Sequence, residues 1–105
     1  MLNVVVERSK WLRGELMSFL LRTSDGKMCC MGFAALACGS SKSEIANVCV
    51  INHGDLVDKR FIDCDRSFFN NLYFSNDEPN LLDSEREQRL KKTGLKAGID
   101  FTFVD

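Results

Sequence analysis

The sequence has few of the features that would assign it at a glance. In 105 residues it carries one histidine, one proline, one tryptophan and one tyrosine. It has no charge excess either, since 14 basic and 15 acidic side chains leave a net charge of −1. A general nucleic-acid binder carries a basic excess or a basic stripe, and the balance here argues against that class. Only the segment from Arg86 to Lys96 leans positive, which a solvated helix face explains. No apolar run approaches the roughly 18–20 residues that cross a bilayer. The opening MLNVVVERSKW lacks the basic leader and apolar stretch of a secretory signal. The chain is therefore expected to act in the cytoplasm and away from membranes. It contains no internal repeats and no low-complexity tracts.

What is present is ordinary for one globular domain. Apolar residues make up 45% and charged residues 28%, and a chain of this length builds a single modest core. The expected unit is one domain, residues 1–105.

The five cysteines are the unusual component. In a reducing cytoplasm an odd count reads as free thiols rather than a disulfide framework. Zinc sites use paired ligands two to four residues apart, whereas the spacings here are adjacent, eight, eleven and fifteen residues. Adjacent helical residues point about 100° apart, so Cys29 and Cys30 cannot easily share one tetrahedral ion. No metal and no cofactor are expected. Cys38, Cys49 and Cys64 sit among apolar neighbours and read as core residues.

Local patterning gives an α+β domain. Asn3 to Val6 reads as a short buried strand. Residues 7–22 are ambiguous: Trp11, Leu12, Leu16, Phe19 and Leu20 fit a helical face interrupted by Gly14, but Leu20 and Leu21 could equally end an extended segment. The run TSDG at 23–26 signals a turn. Lys27 to Cys38 is apolar nearly all round and stops at Gly39, which reads as a buried helix with a glycine cap. Gly32 within it marks close approach of another backbone. SKSE at 41–44 and SERE at 84–87 are capping boxes, the first opening a helix through about Asn47 and the second one through about Lys96. On the second helix Arg86, Leu90, Thr93 and Ala97 share a face.

VCVI at 48–51 and KRFIDCD at 59–65 read as short strands, with a turn at 52–55. SFFNNLYFSNDEPN reads as an aromatic patch running into a loop. Ile99, Phe101 and Phe103 alternate with polar residues, so 99–104 is a strand with those three facing inward. The whole is expected to be a central buried helix on a short antiparallel sheet, in which the first and last strands pair, with a C-terminal helix.

The segments SKWLRGE and LLRTSDGKMCCMGFAALACG resemble a family of small proteins encoded by bacteriophages and prophages. Its members carry Trp-Leu-Arg-Gly, a leucine pair, then Asp-Gly-Lys-Met-Cys-Cys-Leu-Gly-Phe and a small-residue helix. Further on come an Asn-Asp loop, a helix with Glu-Arg-Glu, and a closing Gly-Ile strand. The chain matches at Trp11 to Gly14, Asp25 to Phe33, Asn76 and Asp77, Glu85 to Glu87 and Gly98 to Val104. It departs at Met31, where leucine is usual, and at Ser84-Glu85. His53 has no counterpart in that pattern. The resemblance implies a phage origin and a host-cytoplasm setting, and brings no activity with it.

Two readings follow. In the first, the chain is a binding protein that counters a host process, either by inhibiting a host defence protein or by sequestering a small nucleotide-like signal. Its site would use exposed Trp11, Arg13, Tyr73, Asn76 and Asp77, because tryptophan, tyrosine and arginine anchor interfaces. Trp11 has a competing reading as core, and Asn76-Asp77 as a simple turn. Self-association into a homodimer is also expected.

In the second reading, Cys30 at a helix start is a nucleophile with a lowered thiol pKa. His53 is its base, and Asp55 or Asp63 orients the histidine. CCMGFAAL is faintly similar to the helix start of bacterial cell-wall cysteine peptidases, which usually place aspartate before the cysteine and serine after it. Packing is the competing role for both thiols, and the binding reading is preferred. A structural part of the virion is disfavoured by the short, repeat-free sequence.

Overall fold

A computed structural model describes residues 1–15, 19–48 and 66–105. Strand β1 spans Leu2–Glu7 and is followed by a 3-10 turn at Arg8–Lys10. Helices α1 (Cys30–Ala37), α2 (Lys42–Ile45), α3 (Arg66–Asp77) and α4 (Asp83–Lys96) follow, and strand β2 (Ile99–Val104) closes the described chain. The α+β class is as expected. The predictions for 49–65, including Cys49, His53, Asp55, Asp63 and Cys64, lie outside the described residues.

β1 and β2 pair as expected, but in parallel, with Leu2 opposite Ile99 and Glu7 opposite Val104. The antiparallel expectation is thus corrected. A parallel pair needs a long crossover, and here the chain between the strands supplies it. β1 is not buried on both faces: Val4 and Val6 are inside while Val5 is 56% exposed. β2 turns Ile99, Phe101 and Phe103 inward as its alternation requires.

α1 is the central helix, with Cys30 to Ala35 all buried. Gly32 fits only as glycine, since a Cβ there would overlap the Leu20 carbonyl oxygen and lie 2.8 Å from its carbon. The backbone approach inferred from the sequence is that of Leu20. The helix ends in a Schellman motif at Gly39, whose φ is 99°. There the Ser40 N–H donates to Ala35 O and the Gly39 N–H to Leu36 O, both at 3.0 Å, which satisfies carbonyls left over at the helix end. α2 carries the predicted capping box between Ser41 and Glu44.

Leu20 and Leu21 lie outside any helix, Leu20 in a bend and Leu21 bridged to Ala46. Arg22 bridges Lys27 across the turn, and the Gly26 N–H donates to Arg22 O at 2.7 Å.

α1 begins at Cys30 rather than Lys27, and two later helices also depart from expectation. The aromatic, asparagine-rich patch is helix α3, with Leu72, Tyr73 and Asn76 on its buried side. Aromatic and asparagine residues have weak helix propensity, so packing against α4 and the end contacts described below sustain it. α4 begins at Asp83 with Leu82 as N-cap and makes no side-chain cap. The SERE box does not form, because the helix starts two residues too early for it, with Leu82 rather than Ser84 as N-cap. Arg86, Leu90 and Ala97 do share the buried face. Phe101 lies against Gly94, where a Cβ would sit 2.8 Å from its ring.

Candidate functional site

The 11–14 segment, the start of α1 and the end of α3 converge inside the molecule on Asn76. Its side chain is fully buried and uses both ends of its amide. Oδ1 accepts from Trp11 Nε1 at 2.8 Å and from the Cys30 backbone N–H at 3.0 Å. Nδ2 donates to Leu12 O at 3.0 Å and to Asp77 Oδ1 at 2.8 Å. An indole N–H and a backbone N–H only donate, and a carbonyl only accepts, so the amide has one orientation. The Asn76 carbonyl in turn accepts from the Gly14 N–H at 2.9 Å. One side chain thereby ties the 11–14 segment, the start of α1 and the end of α3.

Arg86 closes the same end of α3. It is 2% exposed, and its Nη1 donates to Ser75 O, Asn76 O and Glu78 O at 2.8–2.9 Å, while Nη2 donates to Leu81 O. A cation at a helix C-terminus meets unpaired carbonyls and the negative end of the dipole. The guanidinium works here as a buried cap.

Trp11 stacks tilted on Phe103 with centroids 4.8 Å apart. The Arg13 guanidinium lies over the indole at 4.5 Å. Arg13 Nε and Nη2 grip Asp83 as a fork at 3.1 and 2.9 Å, and Nη1 donates to Arg8 O and Trp11 O. This pair holds the Asp83 carboxyl below its usual range.

These contacts correct the expected interface. Trp11, Tyr73, Asn76 and Asp77 are interior residues rather than exposed anchors. Asn76 and Asp77 form no turn, since they end α3. Arg13, with a side chain 25% exposed, alone among the five reaches a surface.

The surface it reaches is a polar cleft of about 260 Å³, lined by Trp11, Leu12, Arg13, Glu15, Arg22, Lys27, Asp83 and Arg86. Arg22 is fixed by Asp25, at Nε and Nη2, and by Glu15 at 2.8 Å from Nη1. The Arg22 hydrogen bond and the Lys27 N–H pull the Asp25 carboxyl down to about 2. Lys27 makes no ion pair among the described residues.

The sequence reading missed Arg22, Lys27 and Arg86 as a group. Arg22 and Lys27 flank the TSDG turn, and residues on either side of a tight turn become neighbours. A second hollow of about 610 Å³ lies beyond that turn, with Val5, Leu21, Met28, Phe33 and Leu36 in its lining.

The cysteine pair stands apart from both hollows. Cys29 is the N-cap of α1 and Cys30 its first residue, and both are fully buried. Burial pushes the Cys30 thiol well above its ordinary value, and the charges of Cys29 and Asp77 add to this. The helix N-terminus, which favours a thiolate, is outweighed. Cys30 is therefore a neutral thiol out of reach of substrate, and the hydrolase reading loses its nucleophile. Cys38, expected in the core, is only half-buried at the end of α1. Among the described residues no group of three or more His, Cys, Asp or Glu side chains is placed to hold a metal ion. No helix among them is long and apolar enough to cross a membrane.

Comparison with family models, with curated proteins and with solved structures finds no match.

Proposed function

We propose that this chain is a phage-encoded binding protein of the host cytoplasm that counters a host process, and that the Arg13–Arg22–Lys27 cleft is where it binds. Its target is a host defence protein or a small nucleotide-like signal. One observation carries the reading. Arg13, Arg22 and Lys27 line one cleft, whereas the thiols of Cys29 and Cys30 are fully buried. Carboxylates on either side hold the cleft arginines in fixed directions, and such preorganisation favours binding because little side-chain freedom is lost.

Phage plating on bacteria that carry defence systems and express this chain is the test. Plating rises with the native sequence and stays at the vector level with the pair Arg22→Glu and Lys27→Glu, provided both proteins show the same buried-tryptophan emission. Folded Cys30→Ala keeps the effect. If Cys30→Ala abolished the effect while the cleft pair retained it, the cysteine chemistry would replace this account.

A further inference from the structure

The cleft also indicates what chemistry its ligand has. We propose that it takes a phosphoryl group, as inorganic phosphate or as the phosphate of a nucleotide; this deepens the binding-protein reading and rests on it.

The argument starts from donors. A guanidinium has five N–H bonds and an ammonium three. Arg13 spends four of its five: Nε and one Nη2 hydrogen on Asp83, both Nη1 hydrogens on carbonyls. Arg22 spends Nε and one hydrogen on each Nη, on Asp25 and Glu15. Arg86 spends Nη1 on three carbonyls, one Nη2 hydrogen on Leu81 O and Nε on Asp83 Oδ1 at 3.5 Å. Among the described residues this leaves one N–H on Arg13, two on Arg22 and one on Arg86 Nη2, beside the whole Lys27 ammonium. Gly14 lies over Arg86 Nη2, and a Cβ there would come within 3.4 Å of it.

The pattern of leftovers selects the anion. A carboxylate is recognised by arginine as a two-pronged fork. The side fork of Arg13 is filled by Asp83 and that of Arg22 by Asp25. What remains is one N–H on Arg13, one on each Nη of Arg22 and a point charge. A tetrahedral oxyanion with three free oxygens accepts one bond from each of several directions, which suits that set. Charge agrees: Arg13, Arg22, Lys27 and Arg86 line or floor the cleft, against the carboxylates of Glu15, Asp83 and Asp25, and a cation is left over. Size agrees too. About 260 Å³ is below the roughly 300–1,000 Å³ of sites that enclose drug-sized ligands. The cleft holds a phosphoryl group and leaves a nucleoside outside.

The test is calorimetry on the full chain at constant ionic strength with inorganic phosphate, adenosine 5′-monophosphate, adenosine and glutarate. Phosphate and the nucleotide bind, while adenosine and glutarate do not. Tighter binding of the nucleotide identifies a nucleotide source, and equal binding identifies phosphate itself. Lys27→Gln, at an exposed side chain, weakens both by about tenfold or more, as loss of a hydrogen bond to a charged group does. Arg22→Gln does the same.

Absence of phosphate binding, equal binding in Lys27→Gln, or preference for glutarate overturns the proposal. The two proposals fail separately. If the cleft pair loses the plating effect while phosphate never binds, the cleft serves a protein partner. If phosphate binds but plating never responds, the phosphoryl site stands without the anti-host role.

Discussion

Replacing Asn76 by alanine should be among the most damaging single changes in the described chain, and its cost can be worked from the geometry. The substitution leaves Trp11 Nε1, the Cys30 N–H and the Leu12 carbonyl without the partners they have at 2.8–3.0 Å. A buried polar group left unmet costs about 1–3 kcal/mol. Three at one site, partly relaxing together, give a loss of about 3–5 kcal/mol, against a total of about 5–15 kcal/mol for a domain of this kind. The melting temperature should fall by at least about 12 °C.

Asn76→Asp sharpens the test. It keeps an acceptor for Trp11 and Cys30 but sets a carboxylate against Asp77 Oδ1, now 2.8 Å from the amide nitrogen. Like charges at that distance raise the carboxyl pKa in the folded protein. The stability deficit of this variant should therefore widen as pH rises and narrow as pH falls. Urea unfolding followed by the emission of Trp11, the sole tryptophan, reads both effects. An Asn76→Ala protein within about 1 kcal/mol of the native one, with unshifted emission, would refute the assignment of Asn76 as the central node.

Gly32→Ala should prevent native folding or move Leu20 out of place, because its methyl group would overlap a backbone carbonyl; a circular-dichroism melt matching the native protein would contradict this. The acid limb of stability should carry a contribution from Asp25. Its folded pKa of about 2 lies below the unfolded value, so the contribution is present above about pH 4 and disappears as pH falls toward the folded value. Asp83 shifts in the same direction beside Arg13. Asp25→Asn should flatten part of the slope of urea midpoint against pH between about 4 and 2; identical slopes would remove the pairing with Arg22 from the account.

Elements whose local chemistry agrees with their surroundings were legible in the sequence. The α1 run ends at Gly39, β2 alternates as Ile99, Phe101 and Phe103 require, and Ser41-Glu44 forms its capping box. Gly32 announced a close backbone approach. Strand direction was not legible, because pairing between the first and last strands depends on how the intervening chain is routed. α3 was hidden because it is held by contacts distant in sequence, with Arg86 on its last carbonyls and Trp11 and Leu12 on Asn76.

The candidate site misled for a related reason. Tryptophan, arginine, asparagine and aspartate read equally as interface anchors and as a buried polar network, and only the fold separates the two. The clue was Arg86, a charge on the same helical face as Leu90 and Ala97. A cation on an inward face needs acceptors, and Asn76 lies among them.

Alkylation of the native protein with iodoacetamide from pH 5 to 9, read cysteine by cysteine by mass spectrometry, tests the account most directly. The central claim is that the Cys29-Cys30 motif belongs to the frame and that action lies at the cleft. It predicts that both thiols stay unlabelled across the range until the protein is unfolded, while half-buried Cys38 reacts. Rapid labelling of Cys30 below pH 7 in the folded protein would contradict the claim and return the thiol to the centre of the function.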